Sequence, residues 1–379
     1  MKKLIALLVA LTLCVSVVGL FASCSGKTVE EGTTFVFTDI KDADGNVIGC
    51  SVAPGKLFRV EKDADGNKLP VEIPSADPQG TPVTTVKRMA FQSRTGITEV
   101  VLPATVTTIE NFAFDGCISL AKITFPASLT TIGNYAFDGC EKLTDVQLPE
   151  SLTTIGIYAF RGCKAITSIA LPDSLQSFDG AFYNCSGLTS VTLGAISNIG
   201  EGAFYGCSGI QEITLPETLA EIKAFAFQNC SKLKVIDIPE SVSAVGNGAF
   251  KGCKALTDVA FHSDKVIALE QTFYGCMALT TIELPTAIQT IGQSTFESCS
   301  GMSTIRIPAT LVFLDEGAFG SCTALTDFTF DGTKAQWNSV EKPDTSGNAY
   351  TSTNKVIAWD EGMKSYYVHC TDGVLTIRK

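Results

Sequence analysis

The chain has 379 residues, of which 45% are hydrophobic and 18% are charged, and its formal net charge is −11 at pH 7. The apolar fraction suffices for a core, and the charged fraction is too low for a disordered or coiled-coil chain. The negative charge argues against a nucleic-acid partner, because neutralising phosphates requires clustered Lys and Arg. The sequence has only two histidines, which leaves little for His-based catalysis or a His-ligated metal.

The first 23 residues have the pattern of a secretory signal peptide. A basic start at Met1–Lys3 precedes an apolar run from Leu4 to Leu20, and small residues then lead to Cys24. This order resembles the lipobox of bacterial lipoproteins, which implies that Cys24 is lipidated and becomes the mature N-terminus. A plain signal peptide and an N-terminal anchor helix remain alternatives.

On the lipoprotein interpretation, residues 1–23 are a lipoprotein signal peptide and residues 24–33 are a polar tether. The protein would then be exported and anchored to a membrane by its lipid, because each buried CH2 of an acyl chain contributes ~0.8 kcal/mol. Ser25 is not the aspartate that is linked to inner-membrane retention in some lipoproteins. We therefore expect the outer membrane or the cell surface.

Residues 34–81 differ from the rest and are predicted to form an N-terminal β cap. Extended apolar runs at 34–40 and 47–52 flank the hexapeptide Lys41–Asn46, which recurs at Lys62–Asn67. An Asp-Gly step between such runs indicates a hairpin. The hexapeptides faintly resemble a calcium loop, but its D-x-D-x-D-G spacing and distal glutamate are missing, so hairpin turns are favoured.

Residues 82–330 are built from eleven repeats of 22 or 23 residues, aligned on a phenylalanine that usually follows alanine. A cysteine stands three residues after ten of these phenylalanines, and a representative unit runs from Leu143 to Cys163. The phenylalanines are Phe91, Phe114, Phe137, Phe160, Phe182, Phe204, Phe227, Phe250, Phe273, Phe296 and Phe319.

One repeat is too small to fold by itself. Ordering ~23 backbone units costs about 1–2 kcal/mol each, whereas burying five or six apolar side chains returns only about 1.5–3 kcal/mol each. Packing and hydrogen bonding between neighbouring coils must supply the difference. The repeats are therefore predicted to stack as a solenoid.

The repeat resembles the leucine-rich repeat of the BspA-like family, with the pattern L-x-x-I-x-L-P-x-x-L-x-x-I-G-x-x-A-F-x-G-C. This resemblance implies a β-rich, right-handed leucine-rich-repeat solenoid, of a kind typical of exported or surface bacterial proteins. Some members of the family are adhesins that bind host extracellular proteins or other bacteria.

The repeat cysteines allow three interpretations. Stacking would place neighbouring cysteines near the distance of a disulfide, but a bridge would distort the ladder. Metal ligation would need pairs such as C-x2-C, and the shortest gap after Cys24 is 22 residues. We favour a column of reduced, buried thiols, and we expect Cys50 and Cys370, in opposite caps, not to pair.

The first strand of each coil should direct its third and fifth residues outward. These positions are rich in Thr and acidic residues and lack the aromatic and Arg anchors of interface hot spots. A solvated sheet face is at least as good an interpretation as a binding site; a bound partner would be basic. The charged candidates for binding are Asp145, Glu212, Asp237, Asp258, Glu283 and Arg306.

Residues 331–379 are predicted to form a C-terminal cap. The segment from Tyr366 to Ile377 is predicted to be one hairpin around Asp372-Gly373. Trp337 and Trp359 are expected in the core of this cap. An open solenoid requires such a cap, because its last coil otherwise exposes core and strand edge.

No catalytic motif is present, and we expect no enzyme activity, cofactor, metal site or small-molecule substrate. The favoured hypothesis is a lipid-anchored protein that uses its solenoid for protein–protein binding, in adhesion or host interaction, with an extracellular or host protein as partner. The alternatives are a structural or scaffolding protein of the cell envelope and a glycan-binding module. We consider the last weaker, because exposed aromatic residues are expected to be scarce.

Overall fold

The computed structural model describes residues 34–315, 317–341 and 365–378. The predicted signal peptide, Cys24 and the tether lie outside these residues, as does Trp359. Within the described ranges, no helix combines the length and the apolar character needed to cross a membrane.

The repeats stack as a solenoid of parallel coils, as predicted. A coil typically contributes a front strand, a rear strand and a turn that carries the repeat phenylalanine, although some coils lack one of the two strands. The front strands are β3 (Val71–Glu72), β5 (Glu99–Val101), β7 (Lys122–Thr124), β10 (Ser168–Ala170), β11 (Ser190–Thr192), β14 (Val235–Ile238), β16 (Asp258–Phe261), β19 (Thr304–Ile307) and β21 (Asp327–Phe330). The rear strands are β4 (Val83–Val86), β6 (Thr108–Ile109), β8 (Thr131–Ile132), β9 (Thr154–Ile155), β12 (Asn198–Ile199), β13 (Glu221–Ile222), β15 (Ala244–Val245), β17 (Ala268–Leu269), β18 (Thr290–Ile291) and β20 (Phe313–Leu314).

Strand register follows the repeat length. In the front ladder Val100 pairs with Ile123 and Ile236 with Val259, each exactly one repeat apart in the parallel sense. Isolated bridges extend the ladder at some coils without a full strand, as between Lys122 and Asp145, and elsewhere the described front ladder is interrupted. Because each residue pairs with its own repeat equivalent, side chains of one type form columns along the solenoid.

The repeat phenylalanines form one such column in the core. All eleven are buried, and each ring stacks on the next at centroid distances of 5.1–5.8 Å and interplanar angles of 2–12°. The turn backbones join as well, since the Phe114 amide donates to the Ala136 carbonyl at 2.7 Å. The aromatic column therefore couples every coil to its neighbour.

The repeat cysteines form a second buried column, and they are free thiols. Each Sγ donates to the carbonyl of the phenylalanine one coil earlier, over 2.9–3.4 Å. Cys50 and Cys370 are also unbridged. The structure thus confirms that the repeat cysteines form a buried column, as predicted.

Antiparallel hairpins stand at both ends of the solenoid. β1 (Phe35–Lys41) pairs with β2 (Val47–Pro54), and β2 then joins the rear ladder through β4. β22 (Ser365–Cys370) pairs with β23 (Gly373–Arg378) and extends the front ladder from β21. Both hairpins were predicted, and each covers the strand edge of a terminal coil.

The C-terminal end also contains a short helix that the sequence analysis did not predict. α1 spans Lys334–Ser339, and a reciprocal capping box between Thr333 and Gln336 satisfies its first amides. The helix buries Trp337, which is 2% exposed and packs edge-on against Phe330 at a centroid distance of 5.2 Å. The predicted core position of Trp337 is confirmed.

The acidic hexapeptides of the N-terminal cap form turns, as favoured over a calcium loop. Asp42 Oδ1 accepts from the amides of Asp44 and Asn46 at 3.0 and 2.9 Å. Hydrogen bonds from the Asn46 side chain and backbone lower the pKa of Asp42. Asp63 repeats this arrangement, and Asp77 forms a third turn of the same kind that the hexapeptide pattern had not indicated.

Candidate binding surfaces

The front face is the outer surface of the front strands, and it carries the charged residues that the sequence proposed. Strand burial alternates, for example exposed, buried, exposed, buried in Val235–Ile238. The outward residues form one continuous surface along the solenoid. All six candidates are exposed: Asp237, Asp258 and Arg306 on front strands, and Asp145, Glu212 and Glu283 at equivalent positions of coils that lack a front strand.

Basic side chains on the front face are already paired with acids. Lys122 Nζ lies 2.9 Å from Glu99, and this contact raises the Lys122 pKa. Arg306 Nε contacts Asp331 at 2.9 Å. In contrast, the described part of the chain places no ion-pair partner on Asp237 or Asp258. The uncompensated charge of this face is therefore acidic.

A second candidate surface lies on the turns. We call it the turn face and define it by two positions in each coil: two residues before and one residue after the repeat phenylalanine. The first position is left-handed in almost every coil, with φ of 60° at Phe112, 56° at Tyr135 and 58° at Tyr158. Glycine adopts this conformation freely, whereas other residues incur about 1–2 kcal/mol of strain. Aromatic residues at strained positions require a compensating gain.

Stacking provides part of that gain. Five half-buried rings form an unbroken series, which we call the aromatic ridge, with centroid distances of 4.9, 5.3, 5.3 and 4.2 Å between successive members. Its members are Phe112, Tyr135, Tyr158, Tyr183 and Tyr205. Aromatic pairs of this kind contribute about 0.5–1.5 kcal/mol beyond burial.

Cations of the chain lie on several of these rings. The Arg161 guanidinium is 5.3 Å from the Tyr135 centroid and 5.4 Å from that of Tyr158, and it also pairs with Asp138. Arg88 lies 5.9 Å from the Phe112 centroid. Further along the turn face, Lys251 Nζ lies 4.4 Å from the Tyr274 centroid. Rings of this face are thus repeatedly used as cation platforms.

A cleft of about 500 Å³ interrupts the turn face between Tyr158 and Phe225. It exists because the two intervening coils have glycine where their neighbours have an aromatic residue, at Gly180 and Gly202. A Cβ on Gly180 would lie 2.9 Å from Cε1 of Tyr158, so the tyrosine ring covers that glycine. A Cβ on Gly202 would meet nothing nearer than 3.9 Å, so the floor of the cleft is open there.

Tyr183 and Tyr205 form the inner wall of the cleft. Their rings stack at 4.2 Å, and Asn229 Nδ2 donates to the Tyr205 hydroxyl at 3.2 Å. Burial and the hydrogen bond to Tyr205 raise the Tyr183 pKa to about 12. The Tyr183 side of the wall is therefore a neutral phenol at physiological pH.

Carboxylates line the opposite rim of the cleft. Asp179 Oδ1 accepts from the Glu201 amide at 2.8 Å and from Lys223 Nζ at 3.2 Å. The Glu201 side chain is exposed and has no ion-pair partner among the residues that the structure describes. Asp179 is thus largely neutralised by Lys223, and Glu201 remains as a free charge beside the aromatic rings.

Sequence reasoning missed this surface, because it considered only exposed aromatic residues, and the rings of the turn face are half-buried. Exposed aromatic residues are scarce in the described part of the chain, as expected. A signal was present, because Phe112, Tyr135, Tyr158 and Phe225 share one repeat position. Reading each repeat column for its chemistry, and not only for its hydrophobicity, would have found the ridge. The cleft itself needed the further observation that Gly180 and Gly202 occupy the same column.

The fold and its repeat define a leucine-rich-repeat protein. The family model described as BspA type leucine rich repeat region matches in six copies, over residues 84–196, 179–270 and 264–340. These matches cover most of the chain, and the protein belongs to this family. No match was found among curated proteins.

The chain is similar to several solved structures, and the two with TM-scores above 0.5 support the same fold. A leucine-rich repeat protein from Bacteroides ovatus is 26% identical with a TM-score of 0.53, and the match covers 82% of this chain and 91% of that one. The pneumococcal vaccine antigen PcpA is 17% identical with a TM-score of 0.52, covering 91% and 94% of the two chains. A leucine rich cell surface protein from Faecalibacterium prausnitzii is 27% identical with a TM-score of 0.45, covering 84% and 98%.

Proposed function

We propose that this protein is an exported, lipid-anchored, non-enzymatic binding protein whose solenoid presents an extended surface to a protein partner outside the cell, in adhesion or host interaction. The observation that carries the proposal is the continuous front face. Eleven repeats align their outward residues in one surface with uncompensated acidic charge, and a surface of this size suits a macromolecule better than a small substrate.

The leader of the sequence and the family both support an exported protein. The lipobox-like segment before Cys24 supplies an anchor, and the BspA-like family is typical of exported or surface proteins. The acidic front face favours a basic partner, since complementary potentials accelerate association and exclude wrong partners.

The binding proposal is tested with the chain from residue 24 onward against immobilised extracellular-matrix proteins. We expect saturable binding that weakens about tenfold or more when Asp145, Asp237 and Asp258 are all replaced by Asn. A matched triple variant at Glu150, Glu217 and Glu240, which are exposed acids outside the front strands, should bind as the wild type does. Equal loss in both triple variants would instead indicate a general charge effect and contradict a front-face site.

The location is tested in intact cells of the native host. A lipid-anchored surface protein should incorporate labelled palmitate, lose the label in Cys24→Ser, and be degraded by protease added outside the cells. Protection from external protease would contradict adhesion and favour the scaffolding role within the envelope.

A further inference from the structure

The cleft of the turn face has the chemistry of a site for a cationic side chain. It combines a π-rich wall, Tyr183 and Tyr205, with the free carboxylate of Glu201 at its rim. Arg88, Arg161 and Lys251 of the chain itself lie on aromatic rings of this face, and Arg161 contacts Tyr158 at the edge of the cleft. Among the described residues, no Arg or Lys stacks on Tyr205 or Phe225.

We propose that this cleft binds an arginine or lysine side chain of a basic protein segment, with the cation between the aromatic wall and Glu201. This assignment rests on the proposed protein-binding function and locates one docking point for the partner. Phe225 closes the cleft on one side and Tyr158 on the other, and the open floor at Gly202 leaves room for the incoming side chain.

Lys223 is expected to lower the affinity of the cleft for a cation. Its ammonium reaches back two coils to Asp179, at 3.2 Å across the rim, and competes with any ligand cation for the local negative charge. Removing this ammonium frees the Asp179 carboxylate. A cation site must therefore bind more tightly without Lys223, whereas a site for a neutral or anionic ligand would not.

The direct test uses the chain from residue 24 onward and an acetylated, amidated peptide of alternating glycine and arginine, with affinity measured by calorimetry at low salt. A peptide with citrulline in place of arginine is the control, because it keeps the planar shape and loses the charge. We expect the arginine peptide to bind about tenfold more tightly than the citrulline peptide or better.

Variants at the same repeat column provide matched controls. Gly202→Phe should fill the cleft and weaken binding about tenfold or more; Phe225 adopts φ 57° as Gly202 does, so the backbone accepts the ring. Phe225→Gly should weaken binding to a similar extent, since glycine occupies the equivalent position at 180, 202 and 248. Phe112→Gly, in the same column but outside the cleft, should leave the affinity unchanged.

Charge variants test the rim. Glu201→Gln should weaken binding several-fold, Glu240→Gln should not, and Lys223→Met should strengthen it. Unchanged affinity in Gly202→Phe and Phe225→Gly, with a melting temperature near that of the wild type, would overturn the assignment. So would preferential binding of a soluble N-acetylglucosamine oligomer that is insensitive to Glu201→Gln, because it would make the cleft a glycan site.

These experiments test the cleft assignment and the front-face proposal separately. Matrix-protein binding that survives Gly202→Phe but not the Asp145, Asp237 and Asp258 triple substitution would overturn the cleft assignment and leave the proposed function standing. Absence of matrix binding, with arginine-peptide binding that depends on Gly202 and Phe225, would count against the front face and support the cleft.

Discussion

At the scale of single residues, the buried thiols couple stability to pH. Burial raises the pKa of Cys117 and Cys185 to about 12 and raises that of Cys163 well above its ordinary 9.0. An unfolded chain would release these protons near pH 9, whereas the folded chain retains them. The thiols therefore stabilise the native state fully below pH 9, and this contribution is lost as the pH rises towards the folded pKa values.

We accordingly predict a steep loss of stability above pH 9. Each thiol contributes a slope of up to about 1.4 kcal/mol per pH unit. Nine repeat cysteines have a raised pKa and act together. Urea unfolding followed between pH 7 and pH 10.5 under reducing conditions measures this slope. Cys163→Ala should reduce the slope of the unfolding free energy against pH by about the contribution of one buried thiol. Cys370→Ala should reduce this slope less, because Cys370 is only half-buried. A free energy of unfolding that is constant across this range would contradict the buried column.

The left-handed turn position gives a second residue-scale prediction. Met89 has φ 58° and is 44% exposed, so its side chain gains little from packing. Met89→Gly should remove about 1–2 kcal/mol of backbone strain against a chain-entropy cost of ~0.5–1 kcal/mol, for a net gain of several tenths of a kcal/mol. Thermal unfolding measures the change.

Met277 is the matched control for that substitution. It is 48% exposed but is not among the residues with positive φ. Met277→Gly should therefore lower the melting temperature, because glycine increases the conformational entropy of the unfolded chain and relieves no backbone strain at this position. Equal shifts for the two variants would show that the left-handed conformation at position 89 carries no strain.

At the scale of the structural elements, close approach between coils depends on glycine. A Cβ on Gly133 would lie 2.6 Å from the amide nitrogen of Asn111 in the preceding coil. We predict that Gly133→Ala costs about 1–3 kcal/mol, because the added methyl forces two coils apart. Gly96→Ala, where the nearest heavy atom is Val60 Cγ2 at 3.7 Å, should be neutral or stabilising. Chemical denaturation of both variants tests the difference, and equal costs would contradict this account of coil spacing.

The elements also show how far a repeat pattern predicts structure. The alternation in Thr304–Ile307 follows from polar and apolar residues at a period of two, and strand orientation was predicted correctly from this pattern. The hairpins could be predicted because an Asp-Gly step favours a tight turn through its own local backbone conformation. Helix α1 was missed, since its short length offers little periodicity and its capping box is the main sequence signal.

At the scale of the whole molecule, stability comes from interfaces between neighbouring coils of similar structure. Removing residues 275–297 deletes 23 residues and joins Tyr274 to Ser298, which restores the spacing between Phe273 and Cys299. We predict that this variant folds cooperatively and keeps the cleft, because each coil contacts mainly its neighbours.

A deletion that breaks the register is the control for that prediction. Removing residues 275–286 takes out about half a coil and misaligns the Phe and Cys columns. This variant should aggregate or unfold at a much lower temperature, as followed by circular dichroism and size-exclusion chromatography. Similar behaviour of the two deletions would argue against columns as the source of stability.

The sequence by itself determined the repeat, the stacking of coils, the buried phenylalanine and cysteine columns and the outward position of residues such as Asp145 and Asp237. These features follow from the repeat itself, because a single coil cannot bury its apolar residues without neighbouring coils. Only the tertiary structure decided which side chains meet across coils. Tyr158, Gly202 and Phe225 are distant in sequence, and the cleft between them appears only when stacking places four successive coils side by side and leaves Gly202 uncovered by a ring.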